Sequence, residues 1–458
     1  MKRHMPDRRQ ILQATLGMLS TGLASTIGRT QEPTPRGVPS SQSPVGEPRA
    51  TDGDSRSQPD WEEQLTLTVG PAKADIVGTD DKALQAAIDS VARLGGGTVR
   101  IQPGLYTLRN TLHIPSRLRL LGSGAETVIT KIASEPVALA ADSDWYDQEI
   151  TLKNAESFRI GDGVVLVVKN TNTGEIDVIK RTIVARSGRR LKLNEGLRKN
   201  VWLSASPTCA AQFPLLTSER TGDVTIEQLT LDGDREHNVP LNGNHSGCVF
   251  LQDCSRVTLR QIEARNYNGD GISFQVCHDV LVENCHSHDH AGLCLHPGSG
   301  SQRPVIRGCR LERSAIGLFW CWGVRFGIAE GNRISDNSNC GISIGHNDTD
   351  NVMRNNQIRN SGKFGILFRD ENRGIDFWAN RNVIENNIIE NNGGEDGAAI
   401  EVTGQTKDIQ LSGNTITETR GAAKRVGIRI AEKVGQVAIV DNKISGFSAE
   451  IVDLRPKA

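Results

Sequence analysis

The chain has 458 residues, 53 Lys and Arg against 54 Asp and Glu, a formal net charge of -1 and only 4% aromatic residues. That balance, with no basic stripe, excludes a nucleic-acid partner, whose phosphates demand clustered Lys and Arg, and the lack of any run of ~18 apolar residues excludes a membrane span. Nine cysteines are an odd count that cannot pair completely, and a chain this long builds its core without disulfide staples.

At the N-terminus, Arg8-Arg9 stands ahead of a short, weakly apolar stretch over residues 14–24, too short to anchor in a bilayer. Residues 1–29 resemble a bacterial twin-arginine export signal. The resemblance implies a periplasmic or extracellular protein that folds first in the reducing cytoplasm, which suits unpaired thiols. Six of the seventeen prolines fall between positions 30 and 60, among Ser, Gly and charged residues. Residues 30–73 therefore read as a disordered linker, with order expected from residue 74. Gly78-Thr79-Asp80-Asp81 caps a helix in which Leu84, Ala87, Ile88, Val91 and Leu94 recur at helical spacing, and Gly95-Gly96-Gly97 ends it. Short strands follow over residues 98–101, 105–108, 112–114, 118–121 and 127–132, the first two joined by a Pro103-Gly104 turn.

The segment GTDDKALQAAIDSVARLGGGTVRIQPGLYTLRNTLHIPSRLRLLGSG, within residues 75–132, resembles the opening of the pectate-lyase superfamily of right-handed parallel β-helices, a group that includes rhamnogalacturonases and uronan epimerases. The resemblance implies an all-β solenoid whose first coil is closed by a capping helix. It carries no particular chemistry, which has to be read from a site. Two stretches, residues 158–166 and 182–193, read as hairpin material that breaks the later period, so a small antiparallel β insertion is expected over about 140–203. Its basic turn reads as a solvated loop.

Beyond the insertion the chain repeats. Strand openings fall at Cys248, Gly271, Gly292, Gly317, Gly341, Gly365, Ala399 and Gly427, with gaps of 21 to 34 residues, the period of a solenoid. Each opening is followed by two large apolar residues at alternate positions, such as Ile272 and Phe274 or Ile342 and Ile344, the inward half of a strand. Cys285, Cys309, Asn332, Asn356, Asn387, Asn414 and Asn442 hold a second equivalent place. Asparagines stacked at a turn bond along the axis and satisfy backbone groups that a bent coil leaves unpaired. One β-helix domain is thus expected over residues 74–458.

Function is expected on the outward face of the repeated strand. Stacked coils repeat every ~4.8 Å, close to the advance of one sugar, so a linear glycan fits across them. On that face lie Gln275, His296, Trp322, Arg325, His346, Asp348, Arg369 and Arg373. Trp322 offers a flat ring for a sugar, with Arg325, Gln275 and Arg373 as further substrate contacts. His346, Asp348, Arg369 and His296 form the expected catalytic set. In it Arg369 neutralises a uronate carboxylate, His346 removes the adjacent ring proton, and expulsion of the glycosidic oxygen completes a β-elimination. The expected partner is an acidic polysaccharide and the expected assembly a monomer.

Other readings stay open at this point. A glycosidase would use two carboxylates, Asp348 with Asp370 or Glu371. Polygalacturonase-like hydrolases carry Asn-Thr-Asp, Asp-Asp, Gly-His-Gly and Arg-Ile-Lys, a signature broken in this chain. The Asp-Pro-His-Asp and Asp-Pro-His-Glu patterns of alginate-epimerase-like proteins are also absent, although epimerisation needs the same proton abstraction. A tyrosine-based lyase or epimerase would have one candidate, Tyr267. A glycan-binding solenoid without catalysis is the non-enzymatic alternative. No metal ligand set is assigned. Calcium would draw on Asp348, Asp350, Asp370 and Glu371 without any motif requiring it, and His286-Ser287-His288-Asp289-His290 reads as an exposed turn between coils, with a divalent metal held by its three histidines as the alternative.

Overall fold

A computed structural model describes residues 61–170, 173–421 and 423–456. The expected export signal and the linker up to residue 60 lie outside the described residues. Within residues 61–73 the expected linker gives way to structure: strand Thr66–Gly70 pairs in parallel with Gly97–Ile101, Leu67 opposite Val99 and Val69 opposite Ile101. The Pro and Ser density upstream masks the Thr-Leu-Thr-Val alternation, which is enough to place one more strand over the core. The capping helix runs Asp81–Arg93. The Asp80 side chain accepts from the Ala83 N–H at 3.0 Å, and Leu84, Ala87, Ile88 and Val91 are buried. Leu94 ends the helix and points to solvent.

The solenoid is built from a 22-stranded and an 11-stranded sheet. In the latter, each strand pairs in parallel with the coil before and the coil after. Ile272 lies opposite Leu295, Leu295 opposite Leu318, then Ile342, Ile366, Ile400 and Ile428 in turn. These are fully buried. A vertical apolar column therefore runs through these seven coils, and the residue after each member faces outward. The stack closes on strand Ala449–Asp453.

The asparagines form a ladder. Asn332 Nδ2 donates to Asn356 Oδ1 at 2.9 Å, Asn356 to Asn387 at 3.0 Å, Asn387 to Asn414 at 2.9 Å and Asn414 to Asn442 at 2.8 Å. Each Oδ1 also accepts the backbone N–H of the preceding rung. Cys309 precedes the first asparagine in this column, its N–H donating to Asn332 Oδ1 at 2.9 Å. The cysteines are free, and all but Cys321 are buried; they act as small apolar fillers. A six-stranded antiparallel sheet, with outermost strands Val137–Ala138 and Thr208–Ala210 in sequence, packs its own cluster of Leu139, Ile150, Leu166, Ile183 and Leu191.

Candidate functional site

His296 is an outward residue of strand Leu293–Gly298, in register with Ser273 on the coil before it. Its Nδ1 lies 2.8 Å from Asp270 Oδ2, and both side chains are buried. The other Asp270 oxygen accepts the Leu293 N–H at 2.9 Å, which fixes the carboxylate. A carboxylate only accepts, so the imidazole proton sits on Nδ1 and Nε2 keeps its lone pair. That Nε2 is buried and has no hydrogen-bond partner. The Phe319 ring stands edge-on to the imidazole at 5.2 Å between centroids.

A pocket of about 770 Å³ opens over this pair, lined among others by Gln252, Asp270, Gln275, His296, Phe319 and Trp322. Gln252 and Gln275 are vertical neighbours in the sheet. The loop over residues 240–244 forms one wall, where the Gly243 carbonyl accepts from Ser273 Oγ at 3.1 Å. Only glycine fits there, because a Cβ at position 243 would fall within 1.7 Å of the Asp270 carboxylate. A larger hollow of about 1060 Å³ lies between the capping helix and the antiparallel insertion. Among the described residues it holds no hydrogen-bonded His–carboxylate pair, so the smaller pocket is the candidate site.

The eight residues expected at the site separate. His296, Gln275 and Trp322 line the pocket; His346, Arg369, Asp348, Arg325 and Arg373 do not. A chain of contacts still joins most of them: Arg369 lies over the Phe319 ring at 4.2 Å, its Nε donates to Glu371 at 3.0 Å, and Glu371 accepts from Trp322 Nε1 at 3.0 Å. Trp322 and Phe377 flank His346 edge-on at 5.7 and 5.6 Å.

The expected role of His346 as base does not fit its bonding. Its Nδ1 accepts the Arg373 backbone N–H at 2.9 Å, and burial lowers its pKa. A neutral imidazole that accepts at Nδ1 carries its proton on Nε2 and offers a donor there. Arg369 is likewise committed, to Ser343 Oγ at 2.8 Å, the Trp320 carbonyl at 3.0 Å and Glu371, which leaves few of its five N–H groups for a substrate. The guanidinium of Arg373 covers the Trp322 ring at 3.5 Å, so one face of that indole is already taken. Arg325 donates to Asn347 Oδ1 at 2.9 Å.

Asp348 is fully buried and accepts from the Gly323, Val324 and Gly345 N–H groups at 2.8–2.9 Å. It pins a turn, which removes it from the expected catalytic and glycosidase sets. Asp350 is held by Arg381 at 2.7 and 2.8 Å and Glu371 by Arg369 and Trp322, so three of the four expected calcium ligands, Asp348, Asp350 and Glu371, are tied into separate contacts. Tyr267 is fully buried, with its hydroxyl donating to the Phe213 carbonyl at 2.8 Å, and burial raises its pKa.

Burial pushes the Asp348 carboxyl up to about 6, against the opposing pull of Arg369. Between about pH 4 and 6 the folded chain then holds a proton that the unfolded chain has released, so this group's share of stability falls as pH rises through that window. Asp348→Asn removes the titration. Chemical denaturation at a series of pH values should give a shallower slope there for the variant, and a lower plateau, because an amide nitrogen would face one of the three N–H donors.

Asp270 is the residue that periodicity misses. Register pairs His296 with Ser273, whereas its partner sits three residues upstream of that neighbour and reaches it diagonally. An acid one coil back, just before a strand opening, is the signal that finds it.

A family described as "Right handed beta helix region" matches residues 227–416 and 327–444. No curated protein matches the chain in sequence. Among solved structures, PfbA, a surface adhesin of Streptococcus pneumoniae, aligns at 14% identity over 84% of this chain and 93% of its own, with a TM-score of 0.51. A protein described as a glycoside hydrolase aligns at 11% identity over 84% and 97%, with a TM-score of 0.50. The A-module of the mannuronan C-5 epimerase AlgE4 from Azotobacter vinelandii gives 16% identity over 85% and 100%, with a TM-score of 0.48. At these identities the likeness is one of fold.

Proposed function

Since this chain is a right-handed parallel β-helix protein, we propose that it is an exported enzyme acting on an acidic, uronate-containing polysaccharide by β-elimination, with His296 as the base. The observation that carries this reading is the buried Asp270–His296 pair at 2.8 Å, whose Nε2 has no partner, at the wall of the pocket. A carboxylate that holds Nδ1–H orients the ring and stabilises the imidazolium that forms when Nε2 takes a proton.

In the proposed reaction Nε2 removes the ring proton beside the uronate carboxylate. The electron pair forms the C4–C5 double bond as the C4–O bond breaks, and water protonates the departing oxygen. The amides of Gln252 and Gln275 supply N–H donors for the uronate carboxylate as charge develops. A two-carboxylate hydrolysis has less support, because Asp270 is the sole carboxylate lining the pocket among the described residues.

Incubation with uronate polymers tests the reading. A lyase generates the ultraviolet absorbance of an unsaturated product, a hydrolase generates reducing ends without it, an epimerase inverts the sugar without cleavage, and a binder leaves the polymer unchanged. We expect the first result, and the absence of the absorbance with every uronate polymer overturns the elimination.

A further inference from the structure

The 22-stranded sheet carries a second cluster of histidines, on strands other than those of the pocket. Strand His286–His288 presents His286 and His288 on one face, where the sequence pattern suggests a turn. Their rings stack at 3.9 Å between centroids, 23° apart in plane. The chain then turns at Asp289, which has a φ of 60°, and His290 points into the core. Register sets Glu263 beside His286 on the coil before and Glu312 beside His288 on the coil after.

His288 Nε2 is 3.1 Å from Glu263 Oε1, and His286 Nε2 is 3.2 Å from Glu312 Oε1. The two imidazoles and the Glu263 carboxylate bring ligand atoms within 4.8 Å of one another. His288 Nδ1 also lies 2.5 Å from Asp289 Oδ2. This ring therefore meets a carboxylate at each nitrogen, while a neutral imidazole has a single N–H to offer. Arg313 Nη2 also lies 3.1 Å from the same Nδ1. With Nδ1–H given to Asp289, the Nε2 lone pair and the Glu263 oxygen face each other as two acceptors, an arrangement that a cation between them resolves. An imidazole whose far N–H is held by a carboxylate is the usual support of a metal-bound histidine.

We propose that His286 Nε2, His288 Nε2 and Glu263 Oε1 bind a divalent transition-metal ion, with Asp289 as the orienting carboxylate and solvent completing the coordination. The two imidazole nitrogens suit zinc or its neighbours and not calcium, which takes oxygen ligands. Arg265 at 3.4 Å from Glu263, Arg310 at 2.6 Å from Glu312 and Arg313 at 2.9 Å from both Asp289 oxygens hold the carboxylates in position. The ion ties two consecutive coils together.

Calorimetric titration of the tag-free, chelator-treated full chain with Zn2+ tests the site. One ion per chain is expected, and Co2+ in its place should give the intense visible spectrum of a tetrahedral site. His286→Gln with His288→Gln should abolish binding, and Asp289→Asn, which keeps every ligand, should weaken it about 10- to 100-fold. Thermal melts of the metal-free variants show whether the fold survives, and Asp289→Asn supplies the decision if the double variant does not fold. No binding by the parent chain, or unchanged affinity in Asp289→Asn and in a folded double variant, overturns the proposal.

Discussion

His296→Ala is expected to lower turnover of a uronate polymer by about 10²–10⁴-fold, the range for removing a positioned general base. The fold should persist, because the residue sits on the outward side of the sheet and the apolar column of Ile272, Leu295 and Leu318 runs behind it. Asp270→Asn should fall almost as far. An amide in place of the carboxylate presents an N–H to Nδ1, so the ring takes the tautomer with its proton on Nε2 and loses the basic lone pair where it is needed. His346→Ala is the contrasting variant, with turnover expected to survive, since His346 Nδ1 is engaged by the Arg373 N–H. Rates measured by product absorbance separate the two. Full turnover in His296→Ala, or collapse in His346→Ala with the fold intact, would reverse the assignment of the base.

Asn387→Ala should be among the most destabilising single changes in the coil stack. Asn387 Oδ1 accepts from the Asn356 backbone N–H at 2.9 Å and from its Nδ2 at 3.0 Å, while Asn387 Nδ2 donates to the Met353 carbonyl and to Asn414 Oδ1, both at 2.9 Å. Its neighbours in the ladder, Asn356 and Asn414, are fully buried. Truncation strands a buried backbone N–H and breaks the ladder at its centre. At about 1–3 kcal/mol for each buried group left unpaired, the loss comes to roughly 3–5 kcal/mol. Asn442→Ala at the more exposed end should lose less, because a stranded partner there is nearer to water. Denaturant melts of the two variants would show the ordering, and equal stability would mean that the ladder is decorative.

Periodicity alone determined the solenoid. An inward pair such as Ile342 and Ile344 recurs every two dozen residues, and a strand alternation of that kind buries its apolar face only by stacking on copies of itself. The same reasoning placed the asparagines, because a repeated turn residue becomes a ladder as soon as the coils stack, and it located the face on which His296, Gln275 and Trp322 lie.

Tertiary structure decided which nitrogen of each histidine is free, and through that which one can act as a base. His296 and His346 look alike in the sequence, as single imidazoles on the expected outward face, two coils apart. The difference between them is a carboxylate reaching diagonally across a coil in one case and a backbone N–H from a later loop in the other. Hydrogen-bond direction depends on where a side chain ends in space to within a few tenths of an ångström, and no repeat length carries that information. Asp348 makes the same point: it reads as an acid on the active face, yet three backbone donors turn it inward to hold a turn.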